Sequence, residues 1–159
     1  VFFYFHKLTP NQKGCVFMPE LKNYDLFISH AWKYGADYDR LVDLLDGANN
    51  FKYRNYSAPS DSPLKNLDGS DVSDETEIRK AIERKISPVN IVLVISGMYY
   101  NNRDWMQEEI DIAKEKGKPI IAVKPWGNAI TPSEVKNAAK EVVSWNTDSI
   151  VSAIRKYSI

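Results

Sequence analysis

The sequence holds a single cysteine, Cys15, so no disulfide can form within the chain. Such scarcity fits a reducing compartment, and a cytoplasmic location is expected. Histidine is almost as sparse, with His6 and His30 the only two. One thiol and two imidazoles cannot supply the ligands of an ordinary structural zinc site, so no metal is expected. Neither sign of charge is in surplus: 21 basic residues face 21 acidic ones, for a formal net charge of zero. That excludes a nucleic-acid binder that relies on a strong overall positive field. No apolar run approaches the ~20 residues of a membrane span. The opening VFFYF is apolar, but shorter than a signal-peptide core and without a small-residue cleavage site. The seven glycines form neither the G-x-G-x-x-G fingerprint nor a Walker loop.

What is present fits one globular domain. The chain has 159 residues, 43% apolar and 26% charged, enough for a real core. Residues 1–23 have no clear period and are taken as an N-terminal extension. Residues 24–159 form the domain. From Tyr24 onward, strand and helix patterns alternate. YDLFISH (24–30) is a buried strand. DYDRLVDLLDG (37–47) places Tyr38, Leu41, Val42 and Leu45 on one helical face and stops at Gly47. FKYRNYSAP (51–59) is half polar and suits an edge strand, and 60–73 is a long polar loop. Asp74 and Glu77 make a capping box for a helix that runs to Ser87-Pro88. NIVLVISG (90–97) is continuously apolar, as in a parallel strand covered on both faces. A helix over 105–116, a strand at 119–126 and a helix over 131–140 follow, the last capped by Thr131. A short strand at 142–145 and a helix over 147–157 complete the chain. Five strands alternating with five helices predict a three-layer α/β fold of the flavodoxin type, with a five-stranded parallel sheet in the order 2-1-3-4-5.

Such sheets bind ligands beyond the carboxyl ends of their strands. That edge gathers Ser29, His30, Ala31 and Trp32 after the first strand and Ser57 after the second. It also gathers Ser96 and Gly97 after the third, and Lys124 and Trp126 at the fourth. The acidic set and acceptor Asp of a receiver domain are missing, as is a G-x-S-x-G elbow. Ser29 and His30 are neighbours on a strand and point to opposite faces, so they cannot form a dyad there.

The helix 105–116 carries one carboxylate in an unexpected place. At about 100° per residue, Met106, Ile110 and Ala113 form one apolar row, and Trp105 and Ile112 a second. Glu109 lies between them. Asp104 is expected as N-cap with Gln107 completing the box, and Glu108, Asp111 and Glu115 fall on the solvated side. A partly buried Glu109 needs partners to offset desolvation. Two explanations stay open: a hidden salt bridge to Arg79, Arg103 or Lys124, or a carboxylate held for a ligand.

YDLFISHAW, NIVLVISGMYYNNRDWMQEEI and GKPIIAVKPW, in that order, resemble a TIR-like domain. The resemblance covers roughly residues 24–157 and is to the bacterial and archaeal group that includes the TIR subunit of the Thoeris anti-phage system. It implies cleavage of the nicotinamide–ribose bond of NAD+, giving ADP-ribose or a cyclic isomer as an immune signal. Glu109, four residues after Trp105, matches the catalytic Glu of the W-x-x-x-E spacing. Ser29, His30, Trp32, Ser96 and Trp105 would line the substrate pocket. Tyr99, Tyr100 or Trp32 would stack on a base, or simply pack at the rim. Lys33 and Arg103 would meet the pyrophosphate, or be solvated cations. NAD+ enters as substrate, with no further cofactor. The partners implied are other copies or other TIR domains and a downstream effector protein, with no nucleic acid and no membrane. The alternatives are a non-catalytic TIR-like interaction module and a nucleotide sensor.

Overall fold

The computed structural model describes residues 21–30, 35–57, 68–70, 74–124 and 129–159. Its elements, in chain order, are β1 (Asn23–Ser29), α1 (Gly35–Asp46), β2 (Lys52–Asn55), α2 (Glu75–Ile86) and β3 (Ile91–Ile95). Then come α3 (Arg103–Glu115), β4 (Ile120–Val123), α4 (Ser133–Ala138), β5 (Glu141–Val143) and α5 (Thr147–Tyr157). All four strand pairings are parallel, in the order β2-β1-β3-β4-β5. This is the α/β arrangement, with a parallel sheet in the order 2-1-3-4-5, expected from the alternation.

Composition decides which strand goes where. Every residue of β3 and β4 is buried, because both are near-continuous runs of Ile, Val, Leu and Ala. β2 buries none of its four residues and occupies an edge. The chain reverses direction across the sheet after β2, so the helices divide between its two faces. α1 packs with α5 on one side, and α3 packs with α2 and α4 on the other. One core of aliphatic side chains runs through all three layers, with Leu26, Leu41, Ile82, Leu93, Ile110 and Ile154 at most 1% exposed.

Several boundaries move inward from the sequence expectations. The 51–59 strand shortens to four residues, and 119–126 shortens to Ile120–Val123. The Asp74 cap forms as expected, its carboxylate accepting from Glu77 N at 2.9 Å. The other two caps do not. Two 3-10 turns, Ser96–Met98 and Tyr100–Asn102, fill the connection after β3. α3 therefore starts at Arg103 with Asn102 as N-cap, and Asp104 sits inside the first turn. α4 starts after Pro132, which stands at the N-cap in place of Thr131. Of the long loop 60–73, most residues lie outside those described.

Candidate functional site

β1 delivers two polar residues to the carboxyl edge of the sheet. Ser29 is the last residue of the strand and fully buried, and His30 follows it at 3% exposure. Strand alternation sends them to opposite flanks. Ser29 faces α3 and acts on Glu109, whereas the His30 ring stacks on Tyr38 of α1, with centroids 4.1 Å apart. The expected absence of a Ser–His dyad follows from this geometry.

Glu109 is buried at 4% exposure, on the inward face of α3 beside Met106, Ile110 and Ala113. Its Oε1 accepts from Trp105 Nε1 at 2.9 Å, a contact made possible by the i,i+4 spacing. Its Oε2 is buried without a hydrogen-bond partner. The Ser29 hydroxyl is placed to favour the charged form of this carboxyl by hydrogen bonding, but its Oγ makes no formed hydrogen bond and stays unpartnered. Burial dominates, and it pushes the Glu109 carboxyl up to about 8, against the smaller opposing effects of Ser29 and Trp105.

No cation neutralises Glu109 among the described residues. Arg79, the first candidate, is held by Glu83, Glu108 and Glu115. Arg103 pairs with Glu134 at 3.2 Å, and Lys124 is exposed at the end of β4. None of the three candidate cations therefore makes the hidden salt bridge that the sequence left open as one of two explanations. A cleft of ≈ 510 Å³ opens between the first turns of α2 and α3, lined by Ile78, Arg79, Asp104, Trp105 and Glu108 among others. Trp105 belongs to this cleft and also holds Glu109, which itself does not reach it.

The remaining candidates separate. Ser96 Oγ donates to Val123 O at 2.6 Å and ties β3 to β4, so its hydroxyl proton is committed. Tyr99 is fully buried and donates to Gln107 Oε1 at 2.6 Å, whereas Tyr100 is 67% exposed and is the ring that faces solvent. Trp32, Lys33 and Trp126 lie outside the described residues. Sequence reasoning missed the support behind His30. Tyr38 reads as an ordinary core residue of an amphipathic helix, yet its hydroxyl accepts from Asn55 Nδ2 at 2.7 Å. Ser57 Oγ in turn accepts from Ile28 N at 2.6 Å, joining β2 to β1 at the same edge. Among the described residues, no group of three or more His, Cys, Asp or Glu is placed to hold a metal ion. No helix there is long and apolar enough to cross a membrane.

A parallel 2-1-3-4-5 sheet, with an unpaired carboxyl beside a tryptophan at its carboxyl edge, defines an α/β domain of the TIR-like class. Residues 27–130 match the family model of the Thoeris protein ThsB, TIR-like domain, and the chain belongs to that family. Membership supports a role in anti-phage defence. Comparison with curated proteins gives no match. Among solved structures, a conserved protein from Enterococcus faecalis V583 is similar, with a TM-score of 0.53 and 12% identity. The alignment covers 85% of this chain and 99% of that one. At that identity the likeness shows the fold alone.

Proposed function

We propose that this domain cleaves the nicotinamide–ribose bond of NAD+, with Glu109 as the catalytic carboxylate. The observation that carries this reading is the orphaned Glu109 Oε2, buried with no cation to neutralise it among the described residues. A buried carboxyl left in that state is costly, and such groups concentrate at functional sites. The chemistry suits a single carboxylate. The C–N glycosidic bond breaks with its electron pair going to the pyridinium nitrogen, so nicotinamide leaves neutral and needs no general acid. The ribosyl carbon becomes oxocarbenium-like, and Glu109 stabilises that charge or accepts from the ribose hydroxyls. Water then completes hydrolysis with release of a proton, or a nucleophile within the same molecule closes a ring.

The carboxyl is shut off from solvent, so substrate reaches it only when the rim opens beside Trp105. Burial keeps Glu109 largely neutral near pH 7. The arriving pyridinium charge favours its ionised form. Resting protein is expected to turn over slowly, and self-association or a defence trigger to raise the rate. Incubation with NAD+ and chromatography of the products tests the reading. Release of nicotinamide, lost in Glu109→Gln with the fold intact, supports it. No release under any condition, including crowding and the natural trigger, sinks it and leaves a TIR-like interaction module or a sensor.

A further inference from the structure

His30 carries the second orphan of this edge, and its protonation can be worked out from one contact. Nδ1 lies 2.9 Å from Ile28 O. A carbonyl oxygen can only accept, so Nδ1 carries the hydrogen. The neutral ring then presents a bare lone pair at Nε2, which is buried with no hydrogen-bond partner. The surroundings hold this state. Tyr38 stacks on the ring from α1, and its hydroxyl is occupied by Asn55 of β2. Ser57 is engaged with the β1 backbone at Ile28. Asp39 of α1 acts only through space, and no carboxylate pairs with the imidazole among the described residues. Burial therefore outweighs the Ile28 contact and Asp39, and favours the neutral ring. A fixed, neutral acceptor without a donor is the mark of a site that recognises an N–H or O–H group.

The neighbouring residue identifies which donor. Ser29 and His30 are consecutive, with Cα atoms about 3.8 Å apart, and flank the end of β1 from its two sides. In NAD+ the nicotinamide is bonded directly to the ribose that Glu109 and Ser29 would hold, whereas the adenine lies beyond the pyrophosphate, so the nicotinamide is the nearer candidate for His30. Nicotinamide has one hydrogen-bond donor, the amide NH2. We propose that His30 Nε2 accepts from the carboxamide of the leaving nicotinamide, and so makes the site selective for the amide over the corresponding acid. The proposal rests on the NAD+ reading above. Nicotinic acid lacks the donor, and its carboxylate would face the lone pair of His30. Rejection of an analogue lacking the matched group exceeds what apolar contacts give.

The test compares kcat/KM for NAD+ and its nicotinic-acid analogue. The intact protein prefers the amide by roughly 100-fold or more. His30→Phe keeps a ring against Tyr38 but loses the acceptor, and the preference falls to within about 10-fold. His30→Gln, whose side-chain carbonyl can accept, retains more of it. An unchanged preference in His30→Phe overturns the proposal. A second measurement depends on neither a folded variant nor turnover. With two histidines in the chain, the imidazole nitrogens of His30 can be followed by 15N NMR. Nicotinamide should shift Nε2 and nicotinic acid should leave it in place. A hydrogen already on Nε2 in the free protein, or no response to nicotinamide, overturns the assignment. If the protein never cleaves NAD+, the catalytic reading fails while the NMR titration still decides the role of His30.

Discussion

Glu109 shows how far a single residue can be read from its position in the chain. Helical geometry separates it from Asp104, Glu108 and Asp111 without any tertiary information, because 100° steps place it between two apolar rows. What the chain could not show was the fate of its expected partners. Arg79 and Arg103 are drawn to acids on α3 and α4 by long-range packing, which leaves Glu109 unpaired. His30 was equally half-legible: its place at the strand end follows from β1, but its stack on Tyr38 depends on how α1 docks. The raised Glu109 pKa has a definite sign. The folded state holds the proton more tightly than the unfolded chain, so this stabilisation is complete below the ordinary carboxylate range. It is lost as pH rises through about 8. Above that, the fold must bury a bare charge. Glu109→Gln should therefore be more stable than the natural protein at pH 9, by on the order of a few kcal/mol, and melt at a higher temperature. The difference should close toward pH 5, and parallel melting curves at both pH values would refute the burial argument. If the proposed NAD+ cleavage needs Glu109 ionised in the free protein, its kcat/KM rises with pH toward an apparent pKa near 8. A profile flat between pH 6 and 9 would count against that role.

At the scale of elements, the sequence marks where helices run more reliably than where they begin. Asp74 works as a cap because its extended backbone and short carboxylate meet the orphan Glu77 N–H. Asp104 is an equally good cap by residue type. The connection before it winds into 3-10 turns, however, so the helix starts early and Asn102 takes the cap position. Local composition does not encode that shift. α3 is then steered by Tyr99, whose hydroxyl binds Gln107 in its second turn and fixes the helix against the end of β3. α2 matters to the site indirectly, because its Arg79 holds Glu108 and Glu115 on the outer face of α3 and leaves Glu109 turned inward. Asp74→Ala should cost ~1 kcal/mol, and Asp74→Asn much less. For a domain of this size that is a fall in Tm of roughly 2–4 °C, read by thermal unfolding. Equal melting of Asp74→Ala and the natural protein would show that the cap contributes nothing to α2.

At the scale of the whole molecule, the strand order was legible because burial sorts strands by composition. β3 and β4 contain no polar residue and must be interior, whereas Lys52 and Arg54 force β2 to an edge. The sequence did not reveal the fastening at the opposite, amino edge of the sheet. Asn90, just before β3, accepts from Asp25 N at 2.9 Å and donates to Ile159 O at 2.7 Å. Its backbone N–H donates to Asp25 O at 2.7 Å, and its carbonyl accepts from Ile159 N at 3.3 Å. One side chain thus joins the first strand, the middle strand and the residues after α5, across sequence separations of 65 and 69. These contacts lie at the end of the sheet away from Glu109 and His30, so stability and site chemistry can be tested apart. Asn90→Ala leaves the Asp25 N–H and the Ile159 carbonyl without their side-chain partners, and should cost ~1–2 kcal/mol. That corresponds to a fall in Tm of roughly 2–8 °C. Near room temperature, the proposed NAD+ turnover should be the same in the folded variant, because Asn90 makes none of the contacts at the carboxyl edge. Thermal unfolding and an activity assay on the same preparation check both halves. A large loss of turnover without a loss of Tm would mean that the two ends of the sheet are coupled.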